Sequence, residues 1–371
     1  MKHTTERGTL RDADKLLMLL CLGACVFGLI LISSATRSYG EVHIYLVKQM
    51  VAILLGLIGM LLIMFIGYDW LCKHFYLVLI ACILFLAATL IWGVGGEETG
   101  NQSWLRFGLF GIQPSEFVKV GFILTYATHL YLCGENINRF ANVLLLIAHV
   151  VLIFVLVALQ KDMGNALVFA FICLIMTLFS SLKLRYYLFA AFVLLLSSPL
   201  IWFYGLRQDQ RMRILVIFDP TLDPNGAGWH ALQSKGAIAM GGFTGMGLGR
   251  GRYTQSDLLP AKHTDFIFST CAEELGAIGC FLLILLLLAI LYRVFYRGYR
   301  AADDLGSYLC IGVFALLFCQ IVENIGMCFG VLPVIGITLP FISYGGSSVM
   351  SLFFAVGLVQ SVAMKQRALG V

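Results

Sequence analysis

Ten apolar runs divide the chain, at about residues 16–34, 45–67, 71–93, 114–132, 140–159, 164–181, 186–204, 270–292, 305–330 and 343–364. Crossing a bilayer as a helix takes roughly 20 mostly apolar residues. The pattern therefore predicts an all-α integral membrane protein with about ten transmembrane helices, forming one polytopic domain over residues 1–371. Between the seventh and eighth runs the pattern changes. Residues 206–269 are polar and rich in glycine, and within them residues 229–240 set Trp229, Leu232 and Ile238 against Gln233, Ser234 and Lys235. That division suits a short helix lying on the membrane surface, so the long loop is expected to carry short interfacial helices.

Ten crossings put both termini on one side, and lysines and arginines in short loops favour the cytoplasm. With the N-terminus inside, the inner segments hold thirteen Lys and Arg, and the short outer loops hold four, Arg37, Lys48, Arg106 and Lys161. Both termini are therefore expected in the cytoplasm and the loop 206–269 outside. Composition agrees with a membrane protein: 12% of residues are charged, against roughly 25% in a soluble domain. The formal net charge of +5 is small and does not suggest a nucleic-acid partner. No small-residue cleavage site follows the first apolar run, so no signal peptide is expected. The eleven cysteines lie within or beside apolar runs and form no CxxC pair, which suits small hydrophobes rather than a zinc site or a disulfide framework.

Polar groups near a bilayer are costly, so their concentration marks a working site. The densest stretch runs from Trp229 to Gly276 and includes Gln233-Ser234-Lys235, Lys262-His263-Thr264-Asp265 and Glu273-Glu274. Its run Gly245-Met246-Gly247-Leu248-Gly249-Arg250-Gly251 follows no strand and lacks Gly-Lys-Ser/Thr, so it is not a nucleotide loop. A flexible lid or a plain loop both fit it. Outside this stretch, Asn101 to Phe107 contains Trp104 and Arg106, and Pro114 suits the first turn of a helix. Glu116 and Lys119 are three apart, share a helical face and can neutralise each other. They either lock neighbouring helices or act directly in catalysis. Asp162, in Gln160-Lys161-Asp162-Met163-Gly164-Asn165, is placed to cap the helix that follows. Pro333 to Ser348 breaks an apolar stretch with two prolines and paired glycines; such backbone at membrane depth survives only buried or lining a cavity.

Together these segments resemble the SEDS family, the membrane glycosyltransferases of shape, elongation, division and sporulation. The resemblance covers nearly the whole chain and is carried by Gly226-Ala227-Gly228-Trp229-His230, Leu259-Pro260, His263-Thr264-Asp265-Phe266-Ile267, Glu273-Glu274-Leu275-Gly276 and Ser343-Tyr344-Gly345-Gly346-Ser347-Ser348. Asp219-Pro220, Asp223-Pro224 and Glu323-Asn324-Ile325-Gly326-Met327 are similar to the rod-shape, elongation branch. Lys161 stands where the family usually has Pro, Asn165 where it often has Thr, and Met246 where relatives often have Lys.

The resemblance implies an enzyme of the bacterial plasma membrane that polymerises lipid II onto a lipid-linked glycan strand, releasing polyprenyl pyrophosphate. It also implies a class B penicillin-binding protein as partner. A sugar hydroxyl needs a base, and the developing pyrophosphate charge needs cations. Arg106, Arg211, Arg213 and Lys262 are the candidate pyrophosphate holders, although Arg211 and Arg213 also suit anionic membrane-lipid headgroups. Trp104, Glu116, Lys119, Gln233, Ser234, Lys235 and His263 are further candidate substrate contacts. No carboxylate cluster is plain, and participation of Mg²⁺ or Mn²⁺ is left open. Asp265 is the candidate base, because it matches the family's essential aspartate. Desolvation beside Phe266, Ile267 and Phe268 would raise its pKa, while Lys262 and His263 would pull the other way. Read from the residues alone, an aspartate at the start of a span caps free N–H groups equally well.

Two other functions compete. A lipid II flippase also needs a polar cavity, but a transporter is expected to spread ionisable residues through midplane helices with matching broken repeats, and here they crowd at one surface. A non-catalytic scaffold for cell-wall synthases gives no reason for Lys262, His263 and Asp265 to stand together.

Overall fold

A computed structural model describes residues 9–95, 102–107 and 110–370. Lys2 and Arg7 of the charge count, and Asn101, lie outside the described residues. The helices are α1 (Lys15–Ala35), α2 (Val42–Ile66), α3 (Tyr68–Lys73), α4 (Phe75–Trp92), α5 (Pro114–Cys133), α6 (Phe140–Leu159), α7 (Met163–Leu178) and α8 (Leu184–Leu200), which runs on into a π-helical turn, Ile201–Gly205. Then follow α9 (Gln208–Leu215), α10 (Ala227–Gly241), α11 (Arg252–Gln255), α12 (Ile267–Tyr299), α13 (Asp304–Cys328) and α14 (Gly346–Ala368). A hairpin of β1 (Leu105–Phe107) and β2 (Phe110–Ile112) precedes α5, paired Leu105 to Ile112.

Among the described residues nine helices are long and apolar enough to cross a membrane. The remaining expected crossing is α7, whose 16 residues extend about 24 Å at 1.5 Å each, short of the roughly 30 Å hydrocarbon layer. It lies inside the bundle, with Val168, Phe169, Ile172 and Met176 buried and α5, α6 and α13 packed around it. The most extensive helix packing is that of α2 against the buried α14. Small residues let membrane helices approach closely, and a Cβ at Gly59 would stand 1.9 Å from the Phe354 ring. At the end that carries both termini, Asp14 holds Arg297 at 2.7 Å and Arg293 at 2.5 Å, while Gln360 grips its backbone N–H and C=O at 2.7 and 2.9 Å. That knot ties α1, α12 and α14 together and leaves the irregular structure to the opposite end.

The run expected at 270–292 is longer in the structure and broken. Helix α12 starts at Ile267 and is interrupted at Gly276, whose φ is +67°. A break frees backbone groups that need partners at membrane depth. The glycine-rich run supplies them: Met246 and Gly247 N–H donate to the carbonyls of Glu273 and Glu274 at 2.9 Å, and Ala277 N–H donates to Gly242 at 2.9 Å. It is thus neither a lid nor a plain loop but a splice across a broken helix. A Cβ at Gly276 would stand 2.3 Å from Gly245 N, so the position accepts only glycine. The two acids of this motif are committed as well. Glu273 accepts from Tyr253 N, Thr254 N and Thr254 Oγ1, and Glu274 accepts from Ser34 Oγ and Gln255 Nε2.

Candidate active site

At the end opposite the termini a cavity of about 1640 Å³ opens. Its wall is assembled from α2, the hairpin, the first turns of α5, α7 and α14, helices α9 and α10, the turn at 261–265 and the broken segment at 334–338. Helices α9 and α10 and the turn at 261–265 come from the long loop; the other pieces come from the spans and their shorter connections.

Asp265 is on that wall. A tight turn precedes it, with Thr264 and Phe266 N–H both donating to the carbonyl of Ala261 at 3.0 and 3.1 Å. Phe266, Ile267 and Phe268 are buried behind it. Burial pushes the Asp265 carboxyl up to about 6; a hydrogen bond with Thr264 and the Arg213 guanidinium hold it from going higher. The opposing cation is therefore Arg213, not Lys262 or His263. Capping does not occupy Asp265: the N-cap of α12 is Phe266, and no side chain caps that end. Gly336 lies directly across, where an added Cβ would stand 3.6 Å from Asp265 Oδ2.

A second polar wall comes from α5 and α7. Lys119 Nζ donates to Glu116 Oε1 at 2.7 Å and to Asn165 Oδ1 at 3.1 Å. Asn165 Nδ2 donates to Asp162 Oδ2 at 2.9 Å, and Gln113 Nε2 donates to the same oxygen at 3.1 Å. Asp162 Oδ1 also caps α7 through Asn165 N at 3.2 Å. One mesh therefore orients Glu116, Asp162 and Asn165, which all line the cavity. Asn165 supplies both an acceptor for Lys119 and a donor for Asp162, which a Thr at this position could not do in the same way. Lys161 takes a left-handed conformation, φ +64°, which proline could not adopt because its ring fixes φ near −65°. This turn therefore differs from a proline-bearing one.

Of the residues singled out by sequence, Asp265, Trp104, Glu116 and Arg213 line the cavity. Arg213 Nη1 donates to the carbonyl of Val334 at 3.0 Å. Lys119 lies behind Glu116. Lys262 is fully buried and turned away from the cavity: its Nζ donates to Ser38 Oγ at 2.6 Å, Thr254 O at 2.7 Å and Asp257 Oδ1 at 2.5 Å, and stands 4.5 Å over the Tyr39 ring. His263 sits among Tyr39, Tyr45 and Tyr344 at ring distances of 5.8, 5.2 and 5.5 Å. Burial, then the charge of Lys262, lowers its pKa to about 4, so it is neutral at pH 7. Arg211 folds back onto the carbonyls of Phe203 and Leu206 at 2.9 Å. Ser234, expected on an exposed polar face, is buried and bonded to Ser269 Oγ at 2.6 Å and Cys328 O at 2.7 Å. The reason is that α10 packs its small residues Ala231, Ser234, Ala237 and Gly241 inward against α12, leaving Leu232 exposed. Gln233 and Lys235 are half-buried on α10 away from the cavity, and Arg106 is exposed on β1.

Sequence reasoning missed Lys48, an exposed side chain of α2 on the cavity wall, and His230 and Asp223 beside Arg213. His230 belongs to a quoted motif, yet nothing in its spacing tells which side of α10 faces the cavity. Burial lowers its pKa, Asp223 opposes that, and Arg213 adds to it.

Compared with known families, residues 14–368 match the FtsW/RodA/SpoVE family, described as cell cycle proteins. The chain belongs to this family. The matched span contains every segment of the cavity wall. Among FtsW/RodA/SpoVE relatives, the peptidoglycan glycosyltransferase MrdB of Escherichia coli K12 is 33% identical over 96% of this chain and 95% of its own. The probable peptidoglycan glycosyltransferase FtsW of Geobacter metallireducens is 32% identical over 95% of both chains. Stage V sporulation protein E of Bacillus subtilis is 33% identical over 95% of this chain and 98% of its own. One solved chain, from work on coordination of polymerization and crosslinking by a peptidoglycan synthase complex, matches with a TM-score of 0.82 at 30% identity over 95% of this chain and 98% of its own. The rod shape determining protein RodA of Thermus thermophilus matches with a TM-score of 0.71 at 27% identity, over 95% of this chain and 97% of its own.

Proposed function

We propose that this FtsW/RodA/SpoVE protein is a multi-pass membrane peptidoglycan glycosyltransferase that polymerises lipid II into glycan strands during wall elongation. The names of its relatives support the reaction class. One observation carries the chemistry: a carboxyl raised to about 6, Asp265, shares a large cavity with the Arg213 guanidinium.

In this reading the 4-hydroxyl of lipid II attacks the anomeric carbon of the lipid-linked strand. The hydroxyl oxygen forms the new C–O bond, the bond to the pyrophosphate oxygen breaks with its electron pair, and the hydroxyl proton passes to Asp265. A carboxyl with a pKa of about 6 is mostly ionised at pH 7 and is a stronger base than a free aspartate. Arg213 spends one donor on Val334 and presents the rest of its fork to phosphate oxygens, with Lys48 adding a point charge. Lys119 and Lys262, each committed to protein partners, serve by holding Glu116 and the turn before Asp265. Direct displacement with one base turns an α-linked donor into a β-linked strand. Among the described residues no three His, Cys, Asp or Glu side chains gather as a metal-holding group, so no residue set is assigned to Mg²⁺ or Mn²⁺ and no step runs through either.

The thirteen-to-four charge count supports cytoplasmic termini and a cavity on the outer side. The similarity to a chain of a peptidoglycan synthase complex supports a class B penicillin-binding protein as partner. The whole chain would then act as one membrane domain. Radiolabelled lipid II incubated with purified protein in detergent tests the reading. Glycan polymer is expected from the wild type and none from Asp265→Asn. Translocated lipid without polymer would favour a flippase, neither product a scaffold, and polymer from Asp265→Asn at the wild-type rate would remove Asp265 as the base.

A further inference from the structure

We propose that Asn324, near the outer end of α13, is a positioning residue that sets the orientation of the Asp265 carboxylate; the inference rests on Asp265 being the base. Four successive carbonyls of the turn before α12 are each taken by a donor from elsewhere. Lys262 O accepts from Thr270 Oγ1 at 3.0 Å, His263 O from Tyr344 N at 2.8 Å, Thr264 O from Ser343 Oγ at 2.6 Å, and Asp265 O from Asn324 Nδ2 at 2.8 Å. The first three fix the approach to Asp265. The last holds the carbonyl side of the peptide that follows it, whose N–H side is held by Phe266 N donating to Ala261 O at 3.1 Å; Cys328 Sγ adds only a long contact to the same carbonyl at 3.9 Å. Turning that peptide would swing the carboxylate along the cavity wall.

The same Nδ2 donates to Ile337 O at 2.8 Å. One amide group therefore joins the backbone of Asp265 to the broken segment next to Gly336, the wall that the carboxylate faces. Asn324 is fully buried, and its Oδ1 has no hydrogen-bond partner. An orphaned buried carbonyl is costly. Mere filling of space would be better done by an apolar side chain of similar size, so the residue is present for its two N–H donors. A primary amide on a short stem is the group that gives two donors to two carbonyls on one side.

Purified full-length protein with Asn324→Ala, Asn324→Ser or Asn324→Asp tests this, with lipid II as substrate. In Asn324→Ala a displaced carboxylate should lower kcat by about ten- to a hundred-fold, with KM for lipid II changed by no more than about three-fold. Its acid limb should move toward lower pH as the freed carboxylate meets water. Asn324→Asp should move the limb the opposite way, because a second carboxyl disfavours ionisation of Asp265. Asn324→Ser, which keeps one donor, should fall between wild type and Asn324→Ala. Wild-type kcat in Asn324→Ala, or losses that follow unfolding with the acid limb unmoved, would overturn the proposal. An inactive Asp265→Asn beside a fully active Asn324→Ala removes only the positioning role; an active Asp265→Asn removes the base itself.

Discussion

Asp265→Asn should make the folded protein more stable while abolishing polymerisation. Folded Asp265 has its carboxyl raised from 3.8 to about 6. It thus binds its proton more tightly folded than unfolded, so the folded state loses relative stability as pH rises from about 4 to about 6, and the deficit is constant above that. At 1.36 kcal/mol per pKa unit, about two units give roughly 3 kcal/mol. The carboxylate touches the cavity, where water screens it, so about 1–2 kcal/mol is the working figure. Asparagine fills the same space without ionising and should recover this. The measurement is thermal unfolding of both proteins in one detergent across pH 4–8, with polymer formation followed in parallel. The mutant should unfold at a higher temperature at pH 7–8, and the difference should vanish near pH 4. Equal or lower stability of the mutant at neutral pH would mean that Asp265 is a structural residue and not a base raised by burial.

Arg213→Gln removes the cation that restrains Asp265, so the acid limb of the rate profile should rise above about pH 6. The lost charged hydrogen bonds to pyrophosphate should cost about 1.5–3 kcal/mol in kcat/KM; an unmoved limb with normal kcat/KM would show that Arg213 does neither. Glu116→Gln leaves the buried Lys119 ammonium without its counter-charge, a loss of about 3–5 kcal/mol for breaking a buried pair from one side. Adding Lys119→Met should restore part of that in unfolding measurements, and a further loss would mean that the pair is not coupled. In a cysteine-free background, a probe at Asn225→Cys should react from outside intact cells; labelling only after permeabilisation would reverse the orientation.

Helices were legible in the sequence because apolar runs of membrane length report burial in lipid directly. The boundaries of α6 and the start of α5 follow from pattern and Pro114 alone. Helix α12 extends past the expected 270–292 to Tyr299, because Arg293 and Arg297 end the apolar run without ending the helix, and Glu273, Glu274 and Gly276 within the run give no sign of a break. In the structure both acids are buried acceptors and the glycine is a break within one helix. Lys262 shows a deeper limit. Its neighbours in sequence place it three residues from Asp265, but its side chain is held by Asp257 and Thr254 O of the same loop and by Ser38 from far along the chain, and the spacing alone does not reveal that the cation is already used. Arg213 and Lys262 are the same kind of candidate in sequence; only the fold separates the one at the cavity from the one behind it.

The site exists where irregular segments meet. The turn at 261–265 leaves carbonyls free, and the segment at 333–345 leaves N–H and hydroxyl donors free; each answers the other through Tyr344 N and Ser343 Oγ. The break at Gly276 is answered in the same way by the glycine-rich run. Regular helices could bury these residues without such help, but a helix uses its backbone groups internally and cannot hold open a cavity at its own end. Irregular backbone can, provided that every freed group finds a partner inside the protein. This requirement links segments about eighty residues apart, so a substitution in one should be felt in the other. Ser343→Ala removes a hydroxyl that donates to Thr264 O at 2.6 Å and accepts from Leu339 N at 2.8 Å. Two buried backbone groups are then left unpaired, at about 1–3 kcal/mol each, and the loss should appear both in Tm and in polymerisation rate. Loss of Tm with a normal rate would mean that the two segments support the fold without shaping the base.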